Sequence, residues 1–316
     1  MPLHPQAQAF LDAFEQAMAT MPPLAERDPA AWREQGNRAA AAARDLPLGP
    51  PVHSEVDRTI PGPGGDIPVR VFTPGDRGPY PVLVWFHGGG WVLGGLDGGI
   101  HTLRLLANVA GCVIVSVDYR LAPEHRFPAA VEDCLAATRW VAGNTAELNA
   151  DPDRIAVGGD SAGGNLAAVV AQQARAGGGP ALAFQLLVCP GTDTDLGTDS
   201  FEANGEGYLV TRDMGRWFLE QYLGPDGDWT DPRVAPLRAA SLAGLPPGHI
   251  IVAEFDPLLD EGIAYARALE AAGVDVTLAR TAGQLHDYWL ALGVIDEAER
   301  AVAEAARSMT RALQRG

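Results

Sequence analysis

Short, nearly continuous apolar runs separated by segments of helical periodicity constrain the fold of this 316-residue chain most strongly. The runs cover residues 82–86, 112–117, 155–157, 183–188, 250–253 and 274–278. A strand that is apolar at every position is buried on both faces, which is typical of a parallel sheet covered by crossover helices. The sequence therefore predicts an α/β fold with a mostly parallel central sheet flanked by helices.

The N-terminal part of the chain departs from this alternation. Residues 6–20 and 30–45 each show helical periodicity, and the Pro- and Gly-rich stretch 46–51 ends the second pattern. Residues 52–60 and 66–73 are then predicted as two strands joined by a Gly/Pro turn. The N-terminal helical segment is therefore separate from the first strands.

The stretch between the fourth and fifth apolar runs also departs from the alternation, because it is too long for a simple crossover. It is rich in aromatic residues and shows helical periodicity over 212–223. We interpret residues 191–232 as an insertion that meets the N-terminal helices above the sheet. The sequence thus predicts one domain of residues 51–316 under a helical cap built from residues 1–50 and this insertion.

The composition limits the partners that the chain can have. The formal net charge is −17, so nucleic acid and anionic lipid surfaces repel the chain. The apolar runs are also short, so we expect neither a nucleic-acid partner nor stable membrane insertion. Residues 1–18 show no pattern of a signal peptide. Cys112, Cys134 and Cys189 form no CxxC pair, so we expect no metal site and no disulfide framework, and we place the protein in the cytoplasm.

Residues 158–167, GGDSAGGNLA, contain the pattern G-x-S-x-G directly after an apolar run and before an Ala-rich helical pattern. In a strand-turn-helix setting this pattern forms a nucleophile elbow, with Ser161 at the tip of a strained turn. The backbones on either side approach so closely that Gly159 and Gly163 must be very small residues. A Gly-rich phosphate-binding turn is the alternative, but the segment matches neither the GxGxxG nor the P-loop pattern.

A serine nucleophile needs a general base, usually a histidine, which a carboxylate orients. In one known chain order the serine comes first, the acid second and the histidine third. Only His249 and His286 follow Ser161 in the sequence. His249 lies where a strand begins, whereas sites on parallel sheets form where strands end. His286 lies in a loop beyond the last run and is the predicted base.

The acid is expected between the serine and the base, just beyond a strand. Asp256 follows the run 250–253 and is the candidate. Pro257 comes next, so Asp256 can also serve as a helix N-cap, and the two roles are compatible. The competing carboxylates are Glu254, Asp260 and Glu261.

Residues 87–91, HGGGW, directly follow the run 82–86. Consecutive glycines let backbone N–H groups turn toward a substrate oxygen, and one such oxyanion donor lowers the barrier by roughly 3 kcal/mol. A flexible hinge is the alternative explanation. The position at a strand end favours an oxyanion hole.

Taken together, the motifs resemble those of the bacterial hormone-sensitive-lipase-like esterases. The resemblance rests on HGGGW at 87–91, VDYRLAPEH at 117–125, FPAA at 127–130, GDSAGGN at 159–165 and DPL at 256–258. It implies an α/β-hydrolase fold and a carboxylesterase that needs no metal and no cofactor. The implied triad is Ser161 as nucleophile, His286 as general base and Asp256 as orienting acid. The implied oxyanion donors are the N–H groups of Gly89, Gly90 and Ala162.

The resemblance further implies a small-molecule ester substrate with a short to medium acyl chain. The candidate substrate-binding residues are Trp91, Tyr208, Leu258 and Trp289, although the aromatic side chains among them can equally pack in the core. An amidase or another acyl hydrolase with the same triad is the alternative enzyme. A non-catalytic ligand-binding protein of this fold is the alternative from another class. Homodimers occur in the family, but no residue of this sequence indicates one.

One departure from the family lies beside the base. The family often has Gly-Phe after the catalytic histidine, whereas Asp287 and Tyr288 follow His286 here. A neighbouring carboxylate favours the charged imidazolium, so we expect Asp287 to raise the pKa of His286. Tyr288 and Trp289 are expected to narrow or line the pocket.

Overall fold

A single eight-stranded sheet forms the centre of the computed structural model, which describes residues 2–314. The strands are β1 (Ser54–Gly62), β2 (Gly65–Thr73), β3 (Tyr80–Phe86), β4 (Val113–Val117), β5 (Ala150–Asp160), β6 (Phe184–Val188), β7 (Gly248–Phe255) and β8 (Val276–Leu285). Their order is β1-β2-β4-β3-β5-β6-β7-β8. The pairs β1–β2 and β2–β4 are antiparallel and the other neighbours are parallel, so the predicted mostly parallel sheet is confirmed.

Helices cover both faces of this sheet. They are α1 (Pro5–Met18), α2 (Pro29–Ala43), α3 (Ile100–Ala110), α4 (Ala129–Gly143), α5 (Ala162–Gln173), α6 (Asp199–Asn204), α7 (Arg212–Leu223), α8 (Leu259–Ala271) and α9 (Asp296–Leu313). Residues of α4, α5 and α8 pack on one face, and residues of α1, α3 and α9 pack on the other. In the described part of the chain, no helix is both long and apolar enough to cross a membrane.

Strand β3 shows why the apolar runs build this arrangement. Val84 and Phe86 belong to the core on the α4, α5 and α8 side, while Leu83 and Trp85 belong to the opposite core. All four side chains are buried. Because successive residues of a strand point to opposite faces, a strand between two helical layers must be apolar at every position.

The N-terminal helices contact the insertion above the sheet. The ring of Trp32 on α2 lies 5.6 Å from that of Trp217 and 6.1 Å from that of Phe218, both on α7. Arg33 donates hydrogen bonds to two carbonyl oxygens in the loops that follow β3 and β4. The expected contact between the two cap segments is thus present, while the domain boundaries themselves stay predictions.

Candidate active site

Ser161 occupies a sharp turn between the end of β5 and the start of α5. Its backbone has φ 52° and ψ −118°, a conformation that residues with side chains rarely adopt. The N–H of Ser161 donates to the carbonyl oxygen of Val188 at the end of β6, at 2.8 Å, which anchors the turn. The serine side chain is therefore presented at the edge of the sheet where the parallel strands end.

The two glycines of the pattern G-x-S-x-G are sterically required. A Cβ atom on Gly163 would lie 1.9 Å from the carbonyl oxygen of Phe86, at the end of β3. A Cβ atom on Gly159 would lie 2.3 Å from the carbonyl carbon of Gly163. The elbow packs so tightly against β3 that no side chain fits at either position.

Three side chains form a hydrogen-bonded chain at this edge of the sheet. Nε2 of His286 lies 2.9 Å from Oγ of Ser161. Nδ1 of the same ring lies 2.8 Å from Oδ2 of Asp256. Asp256 follows β7 and His286 follows β8, so the ends of β5, β7 and β8 present the three residues. The arrangement is that of a Ser-His-Asp triad, with both partners of the serine buried.

The other oxygen of Asp256 accepts the N–H of Leu258 at 2.8 Å. Helix α8 begins only at Leu259, so Asp256 caps the preceding turn and the predicted N-cap position is wrong by two residues. The competing carboxylates bind backbone N–H groups elsewhere: Glu254 that of Gly283, Asp260 that of Ser200 and Glu261 that of Thr192. Asp256 is thus the carboxylate that contacts Nδ1 of His286.

A second carboxylate reaches the imidazole of His286. Oδ2 of Asp287 lies 3.2 Å from Nε2 of His286. Burial alone lowers the pKa of His286, but Asp256 and Asp287 outweigh burial and raise this pKa well above its ordinary value. The direction agrees with the expectation from the sequence, and it favours the protonated ring.

The HGGGW segment lies beside the elbow. Gly89 and Gly90 have φ of 109° and 60°, which glycine adopts without steric cost. Both residues line the same cavity as Ser161 and Ala162. Within residues 2–314, no turn, loop or cap hydrogen bond uses the N–H groups of Gly89, Gly90 or Ala162, so these groups can donate to a bound oxygen.

Asp160 and His87 hold the glycine segment in place. Oδ2 of Asp160 accepts the N–H of Gly88 at 2.9 Å, and burial raises the pKa of this carboxyl well above its ordinary value. The ring of His87 stacks on Tyr119 at 4.4 Å, and burial lowers the pKa of His87. No role was predicted for Asp160, although a charged residue among glycines and alanines was a signal for one.

A cavity of about 370 Å³ opens onto Ser161 and His286. Trp91 and Leu258, two of the predicted substrate-binding residues, line it. The N-terminal helices add four apolar side chains that sequence reasoning did not assign to the site: Phe10, Phe14, Met18 and Trp32. The first three share one face of α1, so their helical spacing was the available signal. Asp193, Glu261 and Asp287 are the acidic residues of the described wall, which contains no Arg.

Tyr208 and Trp289 do not line this cavity, and the prediction that they bind substrate is corrected. Trp289 is fully buried and stacks on Trp85 of β3 at 5.8 Å. Tyr288 is buried beside it, so neither residue narrows the pocket. Tyr208 packs against Phe255 at the end of β7, at 5.3 Å. Each of these side chains packs against another aromatic ring and lies outside the cavity wall.

One group of side chains in residues 2–314 has the spacing of metal ligands, namely Cys189, Asp256 and His286, whose ligand atoms lie within 4.8 Å of one another. Asp256 and His286 are already hydrogen-bonded to each other. Burial raises the pKa of the Cys189 thiol well above its ordinary value, and a protonated thiol is a poor ligand. We therefore attribute this grouping to the triad.

Comparison with known proteins agrees with this geometry. A family model described as alpha/beta hydrolase fold matches residues 83–290. Carboxylic ester hydrolase LipN of Mycobacterium tuberculosis is 49% identical over 247 residues, 76% of this chain and 66% of that protein. This chain therefore spans just under two thirds of LipN.

Two further proteins are similar over nearly their whole length. Carboxylesterase NlhH of Mycobacterium tuberculosis is 46% identical over 87% of this chain and 89% of that protein. A hyperthermophilic esterase from the archaeon Pyrobaculum calidifontis is 40% identical and superposes with a TM-score of 0.92, covering 98% of this chain and 99% of the other. The chain belongs to the α/β-hydrolase family and, within it, to the bacterial hormone-sensitive-lipase-like carboxylesterases.

Proposed function

We propose that the protein is a serine carboxylesterase that hydrolyses small-molecule esters of short- to medium-chain acids. The observation that carries this proposal is the hydrogen-bonded chain from Ser161 through His286 to Asp256, which opens into a largely apolar cavity. The names of the mycobacterial relatives, a carboxylic ester hydrolase and a carboxylesterase, support the same reaction. Chemistry of this kind proceeds without a metal or a cofactor.

Acylation uses all three residues. Oγ of Ser161 attacks the ester carbonyl carbon while its proton passes to Nε2 of His286. Asp256 holds the ring and stabilises the imidazolium through Nδ1. The imidazolium then gives its proton to the departing alkoxide, which leaves as the alcohol, and the acyl group stays on Ser161. The proposed donors to the oxyanion are the N–H groups of Gly89, Gly90 and Ala162.

Deacylation repeats these steps with water as the nucleophile. His286 takes a proton from water as the oxygen attacks the acyl carbon, and the same oxyanion donors stabilise the second intermediate. When that intermediate collapses, His286 returns the proton to Oγ of Ser161 and the acid is released. The enzyme is thereby restored.

The size of the cavity supports short to medium acyl chains. About 370 Å³ is near the lower end of ligand pockets in general. Side chains of α1, α2 and α7 close it above the serine, including Phe14, Trp32 and Phe218. A long fatty acyl chain would have to displace these helices.

We also propose a cytoplasmic location, which the three free and buried cysteines support. A homodimer is a further proposal that rests on the family resemblance. Analytical ultracentrifugation of the purified protein tests it by giving the mass of the particle in solution.

Hydrolysis of p-nitrophenyl esters from acetyl to palmitoyl tests the proposed function, with wild type and Ser161→Ala measured side by side. We expect the highest kcat/KM at short to medium chain length. Removal of a triad nucleophile costs many orders of magnitude, so kcat of Ser161→Ala should fall by at least about 10³-fold. Circular dichroism of both proteins checks that the variant is folded.

Two outcomes would contradict the proposal. Folded wild-type protein without activity on any ester would exclude a simple esterase, and p-nitroanilides would then test an amidase. Hydrolysis retained by Ser161→Ala would remove Ser161 from the reaction.

A further inference from the structure

The catalytic imidazole carries a carboxylate on the side where the reaction takes place. Oδ2 of Asp287 lies 3.2 Å from Nε2 of His286, and the same nitrogen lies 2.9 Å from Oγ of Ser161. Asp287 also lines the substrate cavity. A role for Asp287 at this nitrogen rests on the proposed function, because Nε2 must be free to accept the serine proton.

The contact between Nε2 and Asp287 is attractive only when Nε2 carries a proton. Nδ1 donates to Asp256, so in the neutral ring Nε2 presents a lone pair. A lone pair and a carboxylate oxygen repel each other. An N–H at Nε2 instead donates to Oγ of Ser161, and the positive charge of the imidazolium attracts Oδ2 of Asp287. The observed distances therefore fit the imidazolium form of His286.

Among the described residues, the imidazole of His286 is the group that pairs with the carboxylate of Asp287. Oδ1 is buried and has no hydrogen-bond partner among the described residues. A carboxylate with one buried oxygen needs a donor or an opposite charge to offset the lost hydration, and the imidazolium of His286 supplies the charge. The backbone of Asp287 is left-handed, with φ 50°, and its carbonyl oxygen accepts the N–H of Leu290 at 2.9 Å. The main chain thus holds the carboxylate at Nε2.

Other titratable groups near the imidazole come from three neighbouring elements. Asp160 ends β5, Cys189 follows β6 and Glu261 lies on α8. Burial raises the pKa of each of these groups well above its ordinary value, which favours their uncharged forms. Asp256 and Asp287 are the carboxylates that contact the ring itself, one at each nitrogen.

We propose that Asp287 is a positioning residue that keeps a proton on Nε2 of His286 in the free enzyme and so moves catalysis toward alkaline pH. While this proton stays, His286 cannot accept the proton of Ser161, and acylation does not begin. Loss of the proton to solvent frees the base. The family often has glycine after the histidine, whereas this chain has Asp287. The carboxylate of Asp287 therefore sets the pH above which His286 can act as a base.

The pH dependence of kcat/KM for p-nitrophenyl butyrate tests this role in wild type, Asp287→Asn and Asp287→Gly. Both replacements tolerate a left-handed backbone, and both remove the charge. A charge this close shifts a pKa by roughly one to three units, so the midpoint of the acid limb should move about that far toward acid in both variants. Asp12→Asn, which removes one exposed charge from α1, is the control and should keep the wild-type midpoint.

A second measurement reads the proton without relying on turnover. In protein labelled with ¹⁵N-histidine, the Nε2 signal of His286 is titrated in Ser161→Ala and in the double variant Ser161→Ala, Asp287→Asn. The midpoint should fall with the loss of Asp287 by about the shift seen in the rates. A midpoint that stays in place in both experiments would overturn the inference.

A purely structural role for Asp287 would lower the alkaline plateau and leave the midpoint unchanged, which also overturns the inference. Failure of the proposed function has a different signature, since folded wild type would then hydrolyse no ester or hydrolysis would survive in Ser161→Ala. If hydrolysis depends on Ser161 and the midpoint does not move, only the role of Asp287 fails.

Discussion

Ser161 can hold its strained backbone because the chain around it leaves no room for relaxation. Ser161 has a φ of 52° in the turn that joins β5 to α5. Gly159 and Gly163 are in contact across this turn. Such steric demands are visible in the sequence, so the turn with Ser161 at its tip and both glycines could be predicted. Adjacency in the sequence predicted that Asp287 acts on His286, but its contact with Nε2 in particular depends on a left-handed turn, and the burial of Trp289 depends on its neighbours in space. No local pattern encodes either feature.

The substitution Gly163→Ala tests the packing of the elbow. Its Cβ would lie 1.9 Å from the carbonyl oxygen of Phe86, so β3 and α5 must separate. We expect a loss of about 3 kcal/mol in the free energy of unfolding, measured by urea denaturation, together with a lower kcat. The control is Gly36→Ala on α2, where a Cβ meets nothing within 4 Å and stability should hold or rise slightly. Wild-type stability and activity of Gly163→Ala would contradict the structure of the elbow.

At the scale of elements, α2, α7 and the glycine segment 87–91 form one packed unit. Phe218 on α7 lies against Gly90. A Cβ atom on Gly90 would be 2.3 Å from the ring of Phe218. Trp32 on α2 packs against the same ring and also lines the cavity. Periodicity predicted the helix over 212–223, which is α7, because an amphipathic helix repeats its apolar face locally. Helical spacing shows which side chains share a face, but which face meets the cavity depends on distant partners, so the contribution of α1, α2 and α7 to the wall was not predictable.

The substitution Trp32→Ala tests whether this unit limits acyl length. Removing the ring enlarges the cavity wall between α2 and α7, so longer chains should fit better. We expect the ratio of kcat/KM for p-nitrophenyl octanoate to that for the butyrate to rise about tenfold. Trp140→Ala on α4, which lies outside the cavity wall, is the control and should keep the wild-type ratio. An unchanged ratio in folded Trp32→Ala protein would place the acyl chain elsewhere.

At the scale of the whole molecule, the sheet assembles a site from distant parts of the chain. Ser161 and His286 are 125 residues apart, yet they meet because β5, β7 and β8 run parallel and end at one edge. The fold class was predictable, since strands buried on both faces are apolar throughout. The order of the strands was not, because strand pairing is set by contacts remote in sequence. The triad therefore exists only while the sheet is intact.

Covalent labelling with a fluorophosphonate tests the central claim most directly, because the reagent traps an activated serine. Intact mass and peptide mapping are followed through a urea series, with unfolding monitored by circular dichroism. We predict one phosphonyl group per chain, on Ser161, and a labelling rate that falls in parallel with the loss of the folded sheet. Labelling of another residue, or folded protein that stays unlabelled while it hydrolyses esters, would contradict the account.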